Sequence, residues 1–265
     1  TMREENRRVM TYGTRFLLVL LVLLVIGMQH STFRYGGGAP GLIIFQVVTM
    51  LNLAFISVMG LGYFASAITE EKEDGTLGLL RMTDLNPLSI LLGKSTSRLI
   101  GFLLLLVTQL PFITLAVALG GVTLLQILNC YVVLGAFAFL LANLTLIFSV
   151  MCQRTATAVA GTLLVLILGF FGVWASSHFL DTWLGSSFGL ETVWRIIWAA
   201  NPMKSLIEIN ALGSTERIVV QPISNIVVGI VFFVISWLIF DVFNQGEGRG
   251  VSPKALRRQT VISTT

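Results

Sequence analysis

The stretch LIGFLLLLVTQLPFITLAVALGGVTLLQILNCYVVLGAFAFLLANLTLIFSVM, residues 99–151, contains no Asp, Glu, Lys, Arg or His. A helix of about 20 apolar residues crosses the hydrocarbon core of a bilayer, so these 53 residues are long enough to cross twice. Gly120-Gly121 lies near the middle and predicts a tight turn between the crossings. The stretch therefore indicates two membrane-spanning helices joined by a short hairpin.

The composition of the whole chain also indicates a membrane protein. Of its 265 residues, 55% are hydrophobic and only 11% are charged, whereas soluble domains carry about 25% charged residues. So few polar side chains cannot cover a soluble surface, and disordered chains are poorer in apolar residues. The net charge of +4 comes from bases that flank the apolar segments, which favours contact with anionic lipid over a nucleic-acid partner.

Outward from this stretch, the sequence predicts an all-α protein with six membrane-spanning helices. The runs are continuously apolar rather than alternating, as expected for helices. The first run has the flanking charges of a signal peptide, but no small-residue cleavage site follows, so we expect it to be retained. The predicted spans are residues 16–33, 41–68, 99–120, 122–151, 155–175 and 223–240.

The distribution of bases predicts the orientation. An even number of spans puts both termini on one side, and 13 of the 17 Lys and Arg lie on that side. Loops rich in Lys and Arg stay in the cytoplasm. We therefore expect cytoplasmic termini, a cytoplasmic tail at 241–265 and a single transmembrane domain over 1–265.

Two connections are long, and long connections in compact domains are usually functional. The first follows the second span, and we expect its residues 69–94 to lie in the cytoplasm. Asn86-Pro87 has the residues of a helix start. It predicts a short helix over 88–92 that lies across the base of the membrane between turns. The alternative is a solvated charged loop.

The residues of this connection resemble the first cytoplasmic loop of ABC type-2 permeases. EEKEDGTLGLL at 70–80, NPL at 86–88 and LGK at 92–94 are similar to the E-x-E-x-G-T-L-x-x-L and P-L…G-K segments of that family. The resemblance implies a coupling helix or segment that docks on a separate ATPase subunit. Its contact candidates are Glu70, Glu71, Glu73, Gly75, Thr76, Leu77, Leu80 and Arg81.

The resemblance also implies the rest of the assembly. The chain would be the permease of an ATP-driven exporter in the bacterial cytoplasmic (inner) membrane, paired with a second permease subunit as a homodimer or a heterodimer. ATP and Mg²⁺ would belong to the partner ATPase, with no cofactor in this chain. The family's N-terminal elbow helix carries an N-P…R-E signature that residues 2–15 lack, so either the elbow is short or the chain is truncated.

No catalytic chemistry is predicted for the chain itself. GKS at 93–95 matches the end of a phosphate-binding loop, but Leu88 occupies the position of the first glycine of that motif. His30 and His178 lie at span ends, and the spans lack the clusters that metal sites need. We expect no catalytic site and no metal site. The absence of charges within the spans also disfavours a proton-driven carrier.

A polar stripe at helical spacing follows the second span. It either lines a path for the substrate or packs against neighbouring helices. Its members are Gln46, Thr49, Leu53, Ser57 and Gly60. Gln109, Asn129 and Asn143 are isolated polar residues in other spans, and we expect them to join helices.

The second long connection, residues 176–222, is predicted to be external. Trp194 and Trp198 suit the membrane interface. Asn201-Pro202 predicts a helix start and Gly213 its end. Two short helices broken at Asn201-Pro202 either lie on the outer face or dip into the membrane, and the resemblance favours a dipping, re-entrant hairpin that acts as an external gate.

Two functions from different classes stay open. The first is the exporter permease. The second is a scaffold or assembly factor that recruits a soluble partner through the 69–94 loop and transports nothing, and ATPase activity stimulated by substrate would separate the two. A third, an intramembrane enzyme, is disfavoured by the missing charged residues.

Overall fold

The fold is a bundle of α-helices. The computed structural model describes residues 20, 40–76, 86–183, 200–212 and 219–244. The predicted all-α class is confirmed, and these ranges contain no strand. In chain order the helices are α1 (Pro40–Glu73), α2 (Pro87–Val107), α3 (Leu110–Ala118), α4 (Leu124–Met151), α5 (Thr155–Trp183), α6 (Pro202–Leu212) and α7 (Val220–Asn244).

Four helical segments are long and apolar enough to cross a membrane. They correspond to four of the six predicted spans and make this an integral membrane protein. The segments are Gly41–Glu73, Leu88–Ala118, Leu124–Met151 and Val220–Phe240.

The other two predicted spans are only partly described. Span 155–175 falls on α5, whose stretch Thr155–Gly169 is apolar. The α5 helix continues to Trp183, so it extends into the segment that we assigned to the external connection. Span 16–33 lies outside the described residues except for Leu20. Six spans with cytoplasmic termini stay a prediction.

The helix after the charged connection is longer than expected. The start at Asn86-Pro87 is confirmed, but α2 then continues without a break through Gly93 to Val107. Residues 88–92 are therefore the first turns of α2, not a separate short helix across the membrane base. Gly93 is the only poor helix former there, and its cost of about 1 kcal/mol is too small to end the helix.

The third span is broken near its middle, where a single helix over 99–120 was predicted. Pro111 has no N–H to donate, and its ring clashes with the carbonyl four residues earlier. The chain tightens there: the Gln109 N–H donates to the Leu106 carbonyl at 3.2 Å, and the Phe112 N–H donates to the Gln109 carbonyl at 3.0 Å. The break separates α2 from α3.

The predicted hairpin between α3 and α4 is confirmed. Gly120 and Gly121 both have positive φ, 82° and 92°, which glycine adopts without a steric penalty. A capping box then starts α4: the Gln126 N–H donates to the Thr123 hydroxyl, and the Thr123 N–H donates to Gln126 Oε1 at 2.8 Å. The turn is thus closed by hydrogen bonds at the helix start.

The central helix is α4, which packs against α1 on one side and α7 on the other. Its Phe137 and Leu141 are buried with Phe64 of α1 and Phe102 of α2, whose ring centroids lie 5.1 Å apart. A second cluster joins α1, α2, α4 and α7 around Phe240. Lipid chains are as apolar as these side chains, so close packing and hydrogen bonds hold the helices together.

Replacing Gly41 by alanine is expected to destabilise the protein by about 1–3 kcal/mol, the usual cost of overpacking. The new Cβ would overlap the backbone carbonyl oxygens of Ala116 and Gly120, where α1 meets the end of α3. Gly62→Ala is the matched control, because that position on α1 has open space around it. Thermal unfolding in detergent measures both. Equal shifts in Tm would contradict the close approach.

Candidate functional site

Charged side chains from α1 and α2 meet at one end of the bundle. We call this region the charged end and define it as residues 70–76, 94–98 and 152–155. Lys94 pairs with Glu71 at 2.5 Å, and Arg98 pairs with Glu70 at 2.7 Å. All four side chains are partly exposed, so each pair contributes no more than about 1 kcal/mol. The main effect of the two ion pairs is to hold the end of α1 in place against α2.

Arg98 binds a full turn of α1 as well as Glu70. Its guanidinium donates to the Tyr63 carbonyl at 2.9 Å and to the Ser66 hydroxyl at 2.6 Å. It also lies 5.1 Å from the centre of the Tyr63 ring, within the range of a cation–π interaction. These contacts fix the register of α2 against α1.

The last residues of α1 bind the turn between α4 and α5. The Lys72 ammonium donates to the carbonyls of Val150 and Cys152, at the C-terminus of α4. The Glu73 carboxylate accepts the Thr155 N–H at 2.6 Å, at the N-terminus of α5. Each charge therefore lies at the helix end of opposite partial charge.

The position of Glu73 changes its acidity. It lies five residues past the end of the predicted apolar span 41–68 and is exposed. Hydrogen bonds from Thr155, together with the positive charge of Arg154, hold the pKa of the Glu73 carboxyl below its usual value. The side chain is therefore an anion at neutral pH, as its place at a helix N-terminus requires.

Buried hydroxyl groups continue the connection inward from the charged end. The Ser149 hydroxyl accepts the N–H groups of Ile68 and Thr69, at 3.0 and 3.1 Å, and donates to the Ala65 carbonyl at 2.7 Å. The hydroxyls of Thr69 and Thr155 lie 2.8 Å apart. Hydrogen bonds made by these hydroxyl groups thus link α1 to both α4 and α5.

Two of the residues matched by the family resemblance end α1. Gly75 has φ +69°, its N–H donates to the Lys72 carbonyl, and the Thr76 N–H donates to the Glu71 carbonyl at 2.9 Å. This is a Schellman turn, which favours glycine. The Thr76 hydroxyl also donates to the Glu71 carboxylate. Leu77, Leu80 and Arg81 lie outside the described residues.

The structure separates the members of the polar stripe. Thr49, Leu53 and Gly60 are buried, and the Thr49 hydroxyl accepts the Asn210 amide of α6 at 3.2 Å. Ser57 is half-buried and donates to the Leu53 carbonyl of its own helix, whereas Gln46 is exposed. In this arrangement Thr49 joins helices, as the packing interpretation expects.

Several buried amides have no hydrogen-bond partner, a feature that we did not predict. Asn52, Gln109 and Gln221 are at most 1% exposed, and neither polar atom of these side chains is hydrogen-bonded within the described part of the chain. We had expected Gln109 to join helices by a hydrogen bond, but its amide bonds to no residue in the described part of the chain. The only signal in the sequence is an amide within an apolar run.

The described part of the external connection packs into the bundle. Pro202 starts α6, and Asn201 Oδ1 accepts the Met203 N–H at 2.9 Å, so the predicted start is confirmed. Leu206 and Ile209 are buried in the main core. The helix ends at Leu212, just before Gly213, as predicted. Trp194 and Trp198 lie outside the described residues.

Across residues 40–76, 86–183, 200–212 and 219–244, no group of three or more His, Cys, Asp or Glu side chains is placed to hold a metal. The fold and the charged end define the class of the protein: a polytopic α-helical membrane protein with a polar surface at one end.

The family follows from the sequence comparison. Residues 29–239 match the model of a family described as ABC-2 family transporter protein, and the chain belongs to this family. It is therefore a permease component of an ABC transporter, and the family resemblance is confirmed. Members of this family are membrane transport components that are not themselves catalytic. No curated protein matches the sequence.

Exchanging two neighbouring charges tests the contacts at the turn between α4 and α5. Lys72→Glu combined with Glu73→Lys keeps the net charge but puts each charge at the wrong helix end. We expect the Tm in detergent to fall, since each side chain then carries a charge of the same sign as the partial charge of the helix end beside it. Glu71→Lys with Lys94→Glu is the control, because those two side chains still face each other after the exchange. Equal losses would refute the assignment.

Proposed function

We propose that the protein is the membrane subunit of an ATP-driven ABC exporter. It moves a substrate across the membrane with ATP hydrolysed by a separate ATPase subunit, which also binds the Mg²⁺. The charged end faces the cytoplasm and docks on that ATPase. A second permease subunit completes the path, and the complex lies in the bacterial cytoplasmic membrane in contact with lipid.

One observation carries the proposal: the charged end of α1 is bonded to three other helices. Glu70 and Glu71 bind α2, Lys72 binds α4, and Glu73 binds α5. Networks of hydrogen bonds and ion pairs carry coupling between distant sites. A displacement of residues 70–76 by a partner therefore moves several spans together.

The external side of the proposal depends on α6. Residues 176–222 act as the gate, with Trp194 and Trp198 at the membrane interface and Asn201-Pro202 at the break of the hairpin. The support is the burial of Leu206 and Ile209 in the bundle core and the bond from the Gln126 amide to the Ile209 carbonyl at 3.3 Å. A helix bound in this way suits a re-entrant hairpin better than an anchor lying on the surface.

Docking is tested by crosslinking to the co-expressed ATPase subunit. Asp74 lies on the exposed tip of the charged end, and we expect Asp74→Cys to crosslink to the ATPase through a short thiol-reactive linker. The test uses a Cys152→Ser background, because Cys152 is a partly exposed free cysteine of the same region. Leu124→Cys is the control, because Leu124 is 72% exposed and lies at the hairpin end of the bundle. Crosslinking at position 124 but not at 74 would reverse the proposed orientation.

Coupling is tested by breaking the contact between α1 and α2. Lys94→Glu puts a like charge beside Glu71 and leaves the exposed tip intact, so the ATPase subunit should still co-purify. We expect permease-dependent stimulation of the ATPase in vesicles to fall about tenfold, within the usual range of coupling energies. Adding Glu71→Lys should restore most of it.

The same measurements separate the exporter from the scaffold. A scaffold binds its soluble partner through the charged end but does not stimulate ATP hydrolysis. Intact binding without any permease-dependent ATPase activity in the unmodified protein would therefore favour the scaffold. Unchanged stimulation in Lys94→Glu would refute the coupling role of the pair.

A further inference from the structure

A crevice opens on the side of the bundle between α2, α4 and α7. Its volume is about 190 Å³, and its walls are mainly apolar. Phe139 and Ala142 contribute from α4, and Ile230 and Phe233 contribute from α7. None of its lining residues in the described ranges belongs to α1, so the crevice is separate from the polar stripe. It reaches the charged end only through Ser95 and Thr96 of α2.

Three polar side chains line this otherwise apolar crevice: Ser95 and Thr96 of α2 and Asn143 of α4. The Ser95 hydroxyl donates to the Leu92 carbonyl of its own helix at 3.5 Å. Asn143 is only 4% exposed, and its Nδ2 donates to the Phe139 carbonyl at 2.8 Å. That bond fixes the orientation of the amide, and Oδ1 accepts no hydrogen bond from any residue in the described ranges. Thr96 of α2 also lines the crevice and is exposed.

We propose that this crevice binds one amphiphile. The ligand has an acyl chain and, at the polar end of that chain, a hydroxyl or amide N–H group that donates a hydrogen bond. The chain lies against the apolar walls, and the donor bonds to Asn143 Oδ1. An acceptor that faces an apolar crevice without a partner is costly, so a donor at this point is favoured over an acceptor. The Thr96 hydroxyl can donate or accept and takes the second polar group of the ligand.

The environment of the crevice identifies its occupant as lipid-like. Neighbouring side chains on the outer face of the bundle are large, apolar and exposed, including Ile226 and Val234. In an integral membrane protein such a face contacts lipid chains. An acyl chain therefore meets the crevice directly from the bilayer, and the Asn143 amide selects among amphiphiles by their donor group.

The test uses a long-chain fatty alcohol with a photoreactive diazirine in its chain, added to the full-length protein in phosphatidylcholine vesicles. We expect mass spectrometry to find the label concentrated on Phe139, Ile230 and Phe233. Leu164 and Leu168 of α5, exposed at 57% and 62%, report the labelling of an ordinary lipid-facing surface. The methyl ether of the same alcohol lacks the donor and should label the crevice about five- to tenfold less, as expected for one lost hydrogen bond.

Substitutions test the role of the amide. Asn143→Leu should lower crevice labelling by the alcohol to the level of the ether. Asn225→Leu is the matched control, because Asn225 is 3% exposed, lies on α7 and does not line the crevice. Ala142→Phe, which fills the crevice, should abolish the labelling by both probes. If Asn143→Leu does not fold, Thr96→Val provides a second variant of a polar crevice residue, because Thr96 is exposed.

The outcomes are distinct. Labelling spread evenly over the lipid-facing surface, or equal labelling by alcohol and ether, would overturn the proposal. Two sources offer the proposed chemistry: a resident bilayer lipid and a transported amphiphile. Loss of label from the crevice when the ATPase subunit hydrolyses ATP assigns the amphiphile as cargo, and retention assigns it as resident lipid. Only this last comparison, of labelling with and without ATP hydrolysis, depends on the proposed function.

Discussion

Hydrocarbon supplies no hydrogen-bonding partner, and the placement of polar groups in this protein follows from that constraint. Hydroxyls inside the spans bond to carbonyls of their own helix, as Thr145 and Thr162 do, or cross between helices, as Ser149 does. The ion pairs between α1 and α2 lie at the charged end. There the free carbonyl groups at the end of α4 and the free N–H groups at the start of α5 are also available, and the side chains of Lys72 and Glu73 bind them.

The unpartnered amides are the exception to this rule. Asn52, Gln109 and Gln221 are buried without a hydrogen bond in the described part of the bundle. Each such group raises the free energy of this arrangement by about 1–3 kcal/mol relative to one in which it is paired. A permease that alternates between arrangements needs them to be close in free energy. Under the proposed export function, unpaired amides between helices would lower the free-energy difference between two such arrangements. The bonded groups at the charged end keep α1, α2, α4 and α5 together in the arrangement described.

Much of the fold was predictable because it depends on local patterns. Apolar run length predicted the four spans that the structure describes, Gly120-Gly121 predicted the hairpin, and Asn201-Pro202 predicted the start of α6. The contacts of Lys72 were not predictable, since its carbonyl partners lie 78 and 80 residues away and leave no mark on the neighbouring sequence. The continuation of α2 through residues 88–94 was missed because a helix-start signal does not say where the helix ends. The role of Gly75 in ending α1 follows from helix-end rules that we had not applied to it.

The short turn between α3 and α4 has a consequence for how the protein is made. Only residues 119–123 join these two helices, and five extended residues span at most about 17 Å, which is less than the ~30 Å of hydrocarbon. The end of α3 and the start of α4 must therefore emerge on the same face, and the two helices enter the bilayer as one antiparallel unit. Arg98 and Arg154, the first charges on either side of this unit, then lie on one face of the membrane, where both contribute to the bias of Lys and Arg that orients membrane helices.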